Sequence, residues 1–248
     1  INGDITLKHR QQLWGAGDTG TQTLTLGATN AQLTLTGLGG RASLDGGAAR
    51  AVTLADDNLL QGFNVTGGSR GVHGDTITGL TARDLDIRGT TGQGIYLSNF
   101  EGDVLLADNV FDNTTGDAIY AQWGHQSFTA TGNTILSTAG HGIHVYQIGW
   151  ETLQVELSDN SIANTWGDGI RLNPLGAGNI ITGTVRDNTI HDTLGAGMCF
   201  LVEWAAMTIR AAGNSISLPD TEGIYTKVVN NGAAHVTLED NTIINTGA

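Results

Sequence analysis

Apolar residues two apart, with polar ones between them, recur along this chain in short bursts broken by Gly, Asn and Asp. That alternation marks β-strands with one buried face, and the breakers mark turns. The bursts repeat. An Asn-x-apolar triplet returns as Asn109-Val-Phe111, Asn133-Thr-Ile135, Asn160-Ser-Ile162, Asn188-Thr-Ile190, Asn214-Ser-Ile216 and Asn241-Thr-Ile243, with Asn spacings of 24, 27, 28, 26 and 27. Ten residues after each Asn of a complete repeat stands a second apolar anchor: Ile119, Ile143, Ile170, Met198 or Ile224. Insertions are therefore confined to the stretch beyond that anchor.

Counting each repeat from its Asn as zero, positions −5, −3, +2, +10 and +12 are largely apolar, and +9 is Gly or Ala in the complete repeats. Three short strands per repeat, joined by turns, make one coil of a solenoid. The expected fold is all-β: a single-stranded, right-handed parallel β-helix of about 8–9 coils, each of roughly 24–28 residues. No 3.6-residue period is sustained, which excludes an α-solenoid, and the Gly-Gly-x-Gly-x-Asp signature of calcium-binding rolls is absent. The first third follows the pattern more loosely. Gly62-Phe-Asn-Val65 leads to Val72, and Asp84-Leu-Asp-Ile87 to Ile95. Segments Thr21–Leu26, Gln32–Thr36 and Ala51–Leu54 alternate like earlier coil strands. No linker interrupts the series, so residues 1–248 read as one domain, expected to be a piece of a longer chain.

The repeated Asn has a physical reason. An inward Asn at a turn bonds to the turn backbone and to its counterpart one coil away, satisfying groups otherwise buried unpaired. Asn109, Asn133, Asn160, Asn188, Asn214 and Asn241 are thus expected to form a ladder at the strand spacing of roughly 4.8 Å.

Composition narrows the partners. Eleven Lys and Arg stand against 24 acids, for a net charge of −13. Such a surface repels nucleic acid and anionic membrane, and counts modestly against polyanionic polysaccharide. One Cys allows no internal disulfide, and no apolar run approaches a membrane span, so no direct insertion of this segment is expected. Pro174 and Pro219 fall where turns are expected.

Asp187–Ile190 and Gly167–Ile170, reading Asp-Asn-Thr-Ile and Gly-Asp-Gly-Ile, resemble segments of the right-handed parallel β-helix repeat superfamily. The opening from Asp4 to Val65 is similar to passenger regions of bacterial surface proteins of the inverse-autotransporter or adhesin-like kind. That resemblance implies a non-enzymatic rod at the cell surface or outside the cell, meeting glycans or host and biofilm surfaces. The superfamily also includes polysaccharide lyases, epimerases and hydrolases. The Asp-Pro-His segment of the epimerases and the paired Lys/Arg base of alginate lyases have no counterpart here, and Gly140-His-Gly142 lacks the companion elements of polygalacturonases. A phage tail component is a third option within the same fold.

Stacking turns sequence columns into surface patches. Position +11 reads Tyr96, Tyr120, His144, Arg171, Cys199, Tyr225, and +8 reads Asp117, His141, Asp168, Ala196, Glu222. Consecutive coils thus set Asp117/Tyr120, His141/His144 and Asp168/Arg171 side by side. As a polysaccharide site, Arg171 would neutralise a uronate carboxylate, His144 or Tyr120 would exchange a proton, and the Asp residues would orient. Trp123, His125, Tyr146, Trp150 and Trp204, in the insertions beyond, supply rings for stacking on sugars. The plainer reading is a ladder of mixed outward side chains that stabilises the sheet without a ligand. No compact ligand spacing such as His-Glu-x-x-His is present, so neither a metal nor a cofactor is expected, although His141, His144 and Asp168 would be the group to hold a transition metal. Cys199 reads as a small outward or loop-covered side chain without a base beside it.

Overall fold

The computed structural model describes residues 4–15, 21–26, 31–36 and 41–244. Every regular element among them is a strand, and the chain winds as a right-handed parallel β-helix. Three faces form its wall. Strands such as Val110–Asp112, Ser161–Thr165 and Thr189–Thr193 build the first, a nine-stranded parallel sheet beginning just after each ladder Asn. Ile119–Gly124, Ile143–Gln147 and Ile170–Pro174 belong to the second. Gln126–Thr131, Thr152–Ser158 and Ile180–Arg186 belong to the third.

The register follows the hydrophobic pattern. Phe111, Ile135, Ile162, Ile190 and Ile216 pair in succession on the first face, and Ile119, Ile143, Ile170, Met198 and Ile224 on the second. A slip of one residue would turn every one of these side chains outward, so burial fixes the stacking. Phe63, Phe100, Phe111, Phe128 and Phe200 fill the interior, with Phe100 and Phe128 in tilted contact at 6.1 Å. The small residue at +9 is required where the second face begins: a Cβ on Gly169 would stand 2.5 Å from Ile190 Cγ2 and 2.7 Å from the Gly197 carbonyl oxygen.

The Asn ladder is continuous from Asn109 to Asn241. Each side-chain amide donates to the Oδ1 of the next Asn, at 3.0 Å for Asn109 to Asn133 and 2.9 Å for Asn160 to Asn188. Its other hydrogen goes to a carbonyl at the end of the third face, as from Asn160 to Ala130 at 2.9 Å. Its oxygen also accepts the backbone N–H of the preceding ladder residue, as Asn160 Oδ1 does from Asn133 at 3.0 Å. Two donors and two acceptances meet the hydrogen-bonding capacity of a carboxamide, so the column carries no buried polar debt. Leu85 and Phe63 occupy the same column in the two preceding coils, which explains why the pattern is looser there.

Two expectations need correction. Thr21–Leu26 and Gln32–Thr36 are strands, the second starting at Ala31, but they pair with each other antiparallel as a hairpin rather than stacking as coil strands. Alternation records one buried face and carries no information on strand direction. Second, three separate strands per coil is not general: Arg70–Arg83 and Ile95–Ala107 each run unbroken from the second face into the third. The two pair with each other around that corner, with a register shift between Glu101 and Val104. Pro174 and Pro219, expected in turns, are the last residues of strands.

Candidate functional site

The outward column of the second face is in register from His73 through Tyr96, Tyr120, His144, Arg171 and Cys199 to Tyr225. Parallel stacking places like positions over each other, and the rings respond by packing. His73 stacks on Tyr96 at 5.2 Å, Tyr96 on Tyr120 at 5.4 Å, and Tyr120 meets the edge of His144 at 5.0 Å. The column thus extends one coil beyond Tyr96, to His73, which the spacing pattern of the later coils does not single out. One further step of the Val72-to-Ile95 correspondence would have found it.

His73 is buried. Its Nδ1 lies 2.9 Å from Arg70 Nη1, which can only donate, and the Arg70 guanidinium also covers the Tyr96 ring at 3.6 Å. Burial, then the positive charges of Arg50 and Arg70, bring the His73 pKa down to about 4, with Asp75 opposing. His73 is thus a neutral acceptor held under a cation.

The +8 residues line the turn entering this face, and Asp117, His141 and Asp168 each cap the turn one coil on. Asp117 Oδ1 accepts the His141 N–H at 2.6 Å, His141 Nδ1 accepts the Asp168 N–H at 2.8 Å, and Asp168 Oδ1 accepts the Ala196 N–H at 2.9 Å. His141 is therefore a neutral imidazole carrying its proton on Nε2. Burial first, and then the neighbouring His144, lower its pKa, so its 3.5 Å approach to Asp168 Oδ2 is no ion pair.

His144 is placed differently. Its Nδ1 stands 3.1 Å from Asp117 Oδ2, and a carboxylate only accepts, so the proton is on Nδ1. Burial by itself would raise the Asp117 pKa, but bonds from the His144 ring and the His141 backbone outweigh it and hold this carboxyl below its ordinary range. His144 Nε2 is left buried and without a hydrogen-bond partner. An imidazole oriented by a carboxylate, with its other nitrogen free, is the arrangement of metal-ligating histidines and of general bases.

Ligand atoms of Asp117, His141 and His144 lie within 4.8 Å of one another. Asp168, expected from sequence as companion to the two histidines, is committed elsewhere. Its Oδ2 receives Arg171 Nη1 at 3.0 Å, and its Oδ1 caps Ala196. Asp117 takes its place because a +8 side chain reaches toward the following coil.

Other candidates are less poised. The Tyr120 hydroxyl donates to Gln122 Oε1 at 2.9 Å, and burial, then Tyr96, Asp117 and Tyr146, push its pKa to about 12, so it keeps its proton. Gln122, not singled out by sequence, also donates to Tyr96 and Ser98 and ties the column together. Burial and the Asp168 charge raise the Cys199 thiol to about 12, leaving it inert. Of the insertion residues, Tyr146 joins the cluster, its ring 6.3 Å from His144. His125 lies apart, near Glu151 at 3.8 Å. Trp123, Trp150 and Trp204 share the corner between second and third faces. All three are exposed, and all have positive φ (55°, 71° and 55°), a region that bulky residues seldom enter. The Trp150 ring lies over Gly178, where an added Cβ would stand 3.1 Å from it.

No curated protein matches the chain. Among solved structures, the A-module of the mannuronan C-5 epimerase AlgE4 of Azotobacter vinelandii is similar at 14% identity and a TM-score of 0.37, over 98% of this chain and 90% of that one. The model of the family described as periplasmic copper-binding protein (NosD) matches residues 20–183, a span that holds the whole Asp117/His141/His144 cluster. With well over half its length matched, this chain belongs to the NosD family.

Proposed function

We propose that this chain is a non-enzymatic β-helical module acting outside the cytoplasm, whose wall binds a transition-metal cation, copper(II) by preference, through Asp117, His141 and His144. The observation that carries the reading is the convergence of two imidazoles and one carboxylate from consecutive coils, with His144 Nε2 buried and unpartnered. His144 Nε2 is the nitrogen already free, whereas His141 would have to release the Asp168 N–H from Nδ1 to ligate. Imidazole with carboxylate suits copper(II) better than copper(I), which prefers sulfur. The sulfur side chains do not serve here, because Met198, Met207 and Cys199 are all buried. The family description supports both the metal and the compartment.

The test is a copper(II) titration of chelator-treated protein by calorimetry, alongside zinc and manganese. One equivalent is expected to bind copper in preference, with His144→Ala lowering affinity at least tenfold at unchanged fold. Absence of copper binding, or equal binding by that variant, would overturn the assignment. Display as a passenger or adhesive rod rests on the opening motif from Asp4 to Val65, and fractionation of cells producing the full-length protein tests it.

A second reading has one specific observation behind it. The Asp117–His144 pair beside Tyr120 is an oriented base on an outer face, as a lyase, C5-epimerase or hydrolase of uronate polymers would use. Arg171 would have to exchange Asp168 for the substrate carboxylate. Unsaturated, epimerised or shortened products from a uronate panel, lost in His144→Ala, would establish it.

A further inference from the structure

A separate feature runs along the turn between the first and second faces. At +5 the chain carries Thr114, Thr138, Thr165 and Thr193, then Pro219, in register from coil to coil. The four threonines are buried, so the turn backbone forms a floor. Residues at +4 and +6 stand up on either side of it. In the last three coils Asn164, Asp192 and Leu218 make one wall and Trp166, Leu194 and Asp220 the other, around a groove of about 500 Å³. A second hollow of about 330 Å³ continues toward Asn113, and Asn164 and Trp166 line both. The two hollows form one channel parallel to the helix axis.

Two observations set this channel apart from ordinary turn surface. Trp166 is 70% exposed at its centre, with Leu194 at 52% and Leu218 at 48% beside it. The +4 position is also in left-handed backbone in most coils, Ser137 excepted. Asn113, Asn164 and Asp192 have φ of 55°, 53° and 53°, and such residues tolerate it, but the next coil places Leu218 there at φ 53°. An apolar, branched side chain held exposed in that conformation is unfavourable for folding on both counts, which is the pattern of a residue kept for contact.

We propose that this channel binds an uncharged oligosaccharide laid parallel to the helix axis, with Trp166 stacking on a pyranose ring. The chemistry fits on each side. An exposed indole and two leucines receive the C–H faces of sugar rings, while Asn164, Asp192 and Asp220 accept from hydroxyls. No Lys or Arg lines either hollow, so uronates and sulfated sugars are disfavoured. Successive coils repeat every ~4.8 Å, close to the advance of one sugar unit in an extended glycan, so neighbouring coils meet neighbouring sugars.

The test is calorimetric titration with neutral gluco-, xylo-, manno- and chito-oligosaccharides of increasing length, in EDTA so that no metal takes part. One neutral series is expected to bind with affinity rising with length, and Trp166→Ala, an exposed substitution, to bind at least tenfold more weakly with an unchanged melting temperature. Leu218→Asn is expected to weaken binding while holding or raising the melting temperature, a split that a structural role for Leu218 would not give. The proposal is overturned if no neutral series binds, if Trp166→Ala binds as well as the parent, if polyuronates bind as tightly, or if the channel takes up only apolar peptides.

Discussion

Asp117 and His144 lie 27 residues apart in sequence, yet His144 Nδ1 is 3.1 Å from Asp117 Oδ2, because a turn residue of one coil reaches the face of the next. This bond fixes the imidazole tautomer. Nitrogen-15 NMR of the metal-free protein is expected to show His144 protonated at Nδ1, and Asp117→Asn to disturb that state. The same variant is expected to cost ~1–3 kcal/mol, since a buried partner is lost. Its copper affinity should fall about 10–100-fold, the range for an orienting or ligating group. An unchanged tautomer in Asp117→Asn would remove the pair from any account of the site.

His73 gives the protein an acid-sensitive element. Its folded pKa of about 4 lies below the ordinary value of 6.5, so between these values the unfolded chain binds more protons than the folded one. Stability is therefore full above the ordinary histidine pKa and declines as pH falls through this window, with His141 shifted in the same direction. Thermal melts recorded across this range should show the decline, and His73→Phe, which retains a ring against Tyr96, should flatten it.

Replacing Asn160 by Leu should be among the most damaging isosteric changes available. It removes the acceptor for two donors of Asn133, at 3.0 and 2.9 Å, and the donor to Ala130. At ~1–3 kcal/mol per orphaned buried group, the loss is expected to exceed ~3 kcal/mol in denaturant unfolding. Asn109→Leu should cost less, because the column position beyond it is already Leu85 and only one backbone donor, that of Leu85, loses its acceptor.

Gly169→Ala tests the tightness of the +9 position. The added carbon meets Ile190 and the Gly197 carbonyl at distances no real contact tolerates, so the coil must shift. The expected cost is ~1–3 kcal/mol, the range for overpacking, read as a lower denaturation midpoint with an unchanged slope.

Cys199 is expected to resist alkylation at neutral pH in the folded protein and to react once unfolded. Rapid labelling under native conditions would contradict both its burial and its raised pKa.

The fold was legible because its cause is periodic. Burial of Ile119, Ile143 and their successors forces a fixed count between ladder Asn and anchor, and that count survives in the sequence as spacing. The +11 column could be read for the same reason. Details that depend on where a flexible side chain reaches could not. Asp168 and Asp117 share a column and a residue type, and only the geometry shows one bonded to Arg171 and the other to His144. Strand direction was equally hidden at Thr21–Leu26, where alternation is the same for a hairpin as for a coil. Trp166 was passed over because it lies before the second anchor, outside the insertions that drew attention to Trp123, Trp150 and Trp204.

The Asn ladder separates two jobs that compact domains usually entangle. Since coil-to-coil alignment is secured from within, the wall behaves like a pegboard: what projects from a hole is not needed to hold the coils in register. Tyr120, His144 and Arg171 sit in equivalent holes yet differ in size, charge and polarity. Variation can therefore remodel a rung together with the rungs it bonds, and a recognition surface transplanted onto another solenoid of equal pitch should keep its layout.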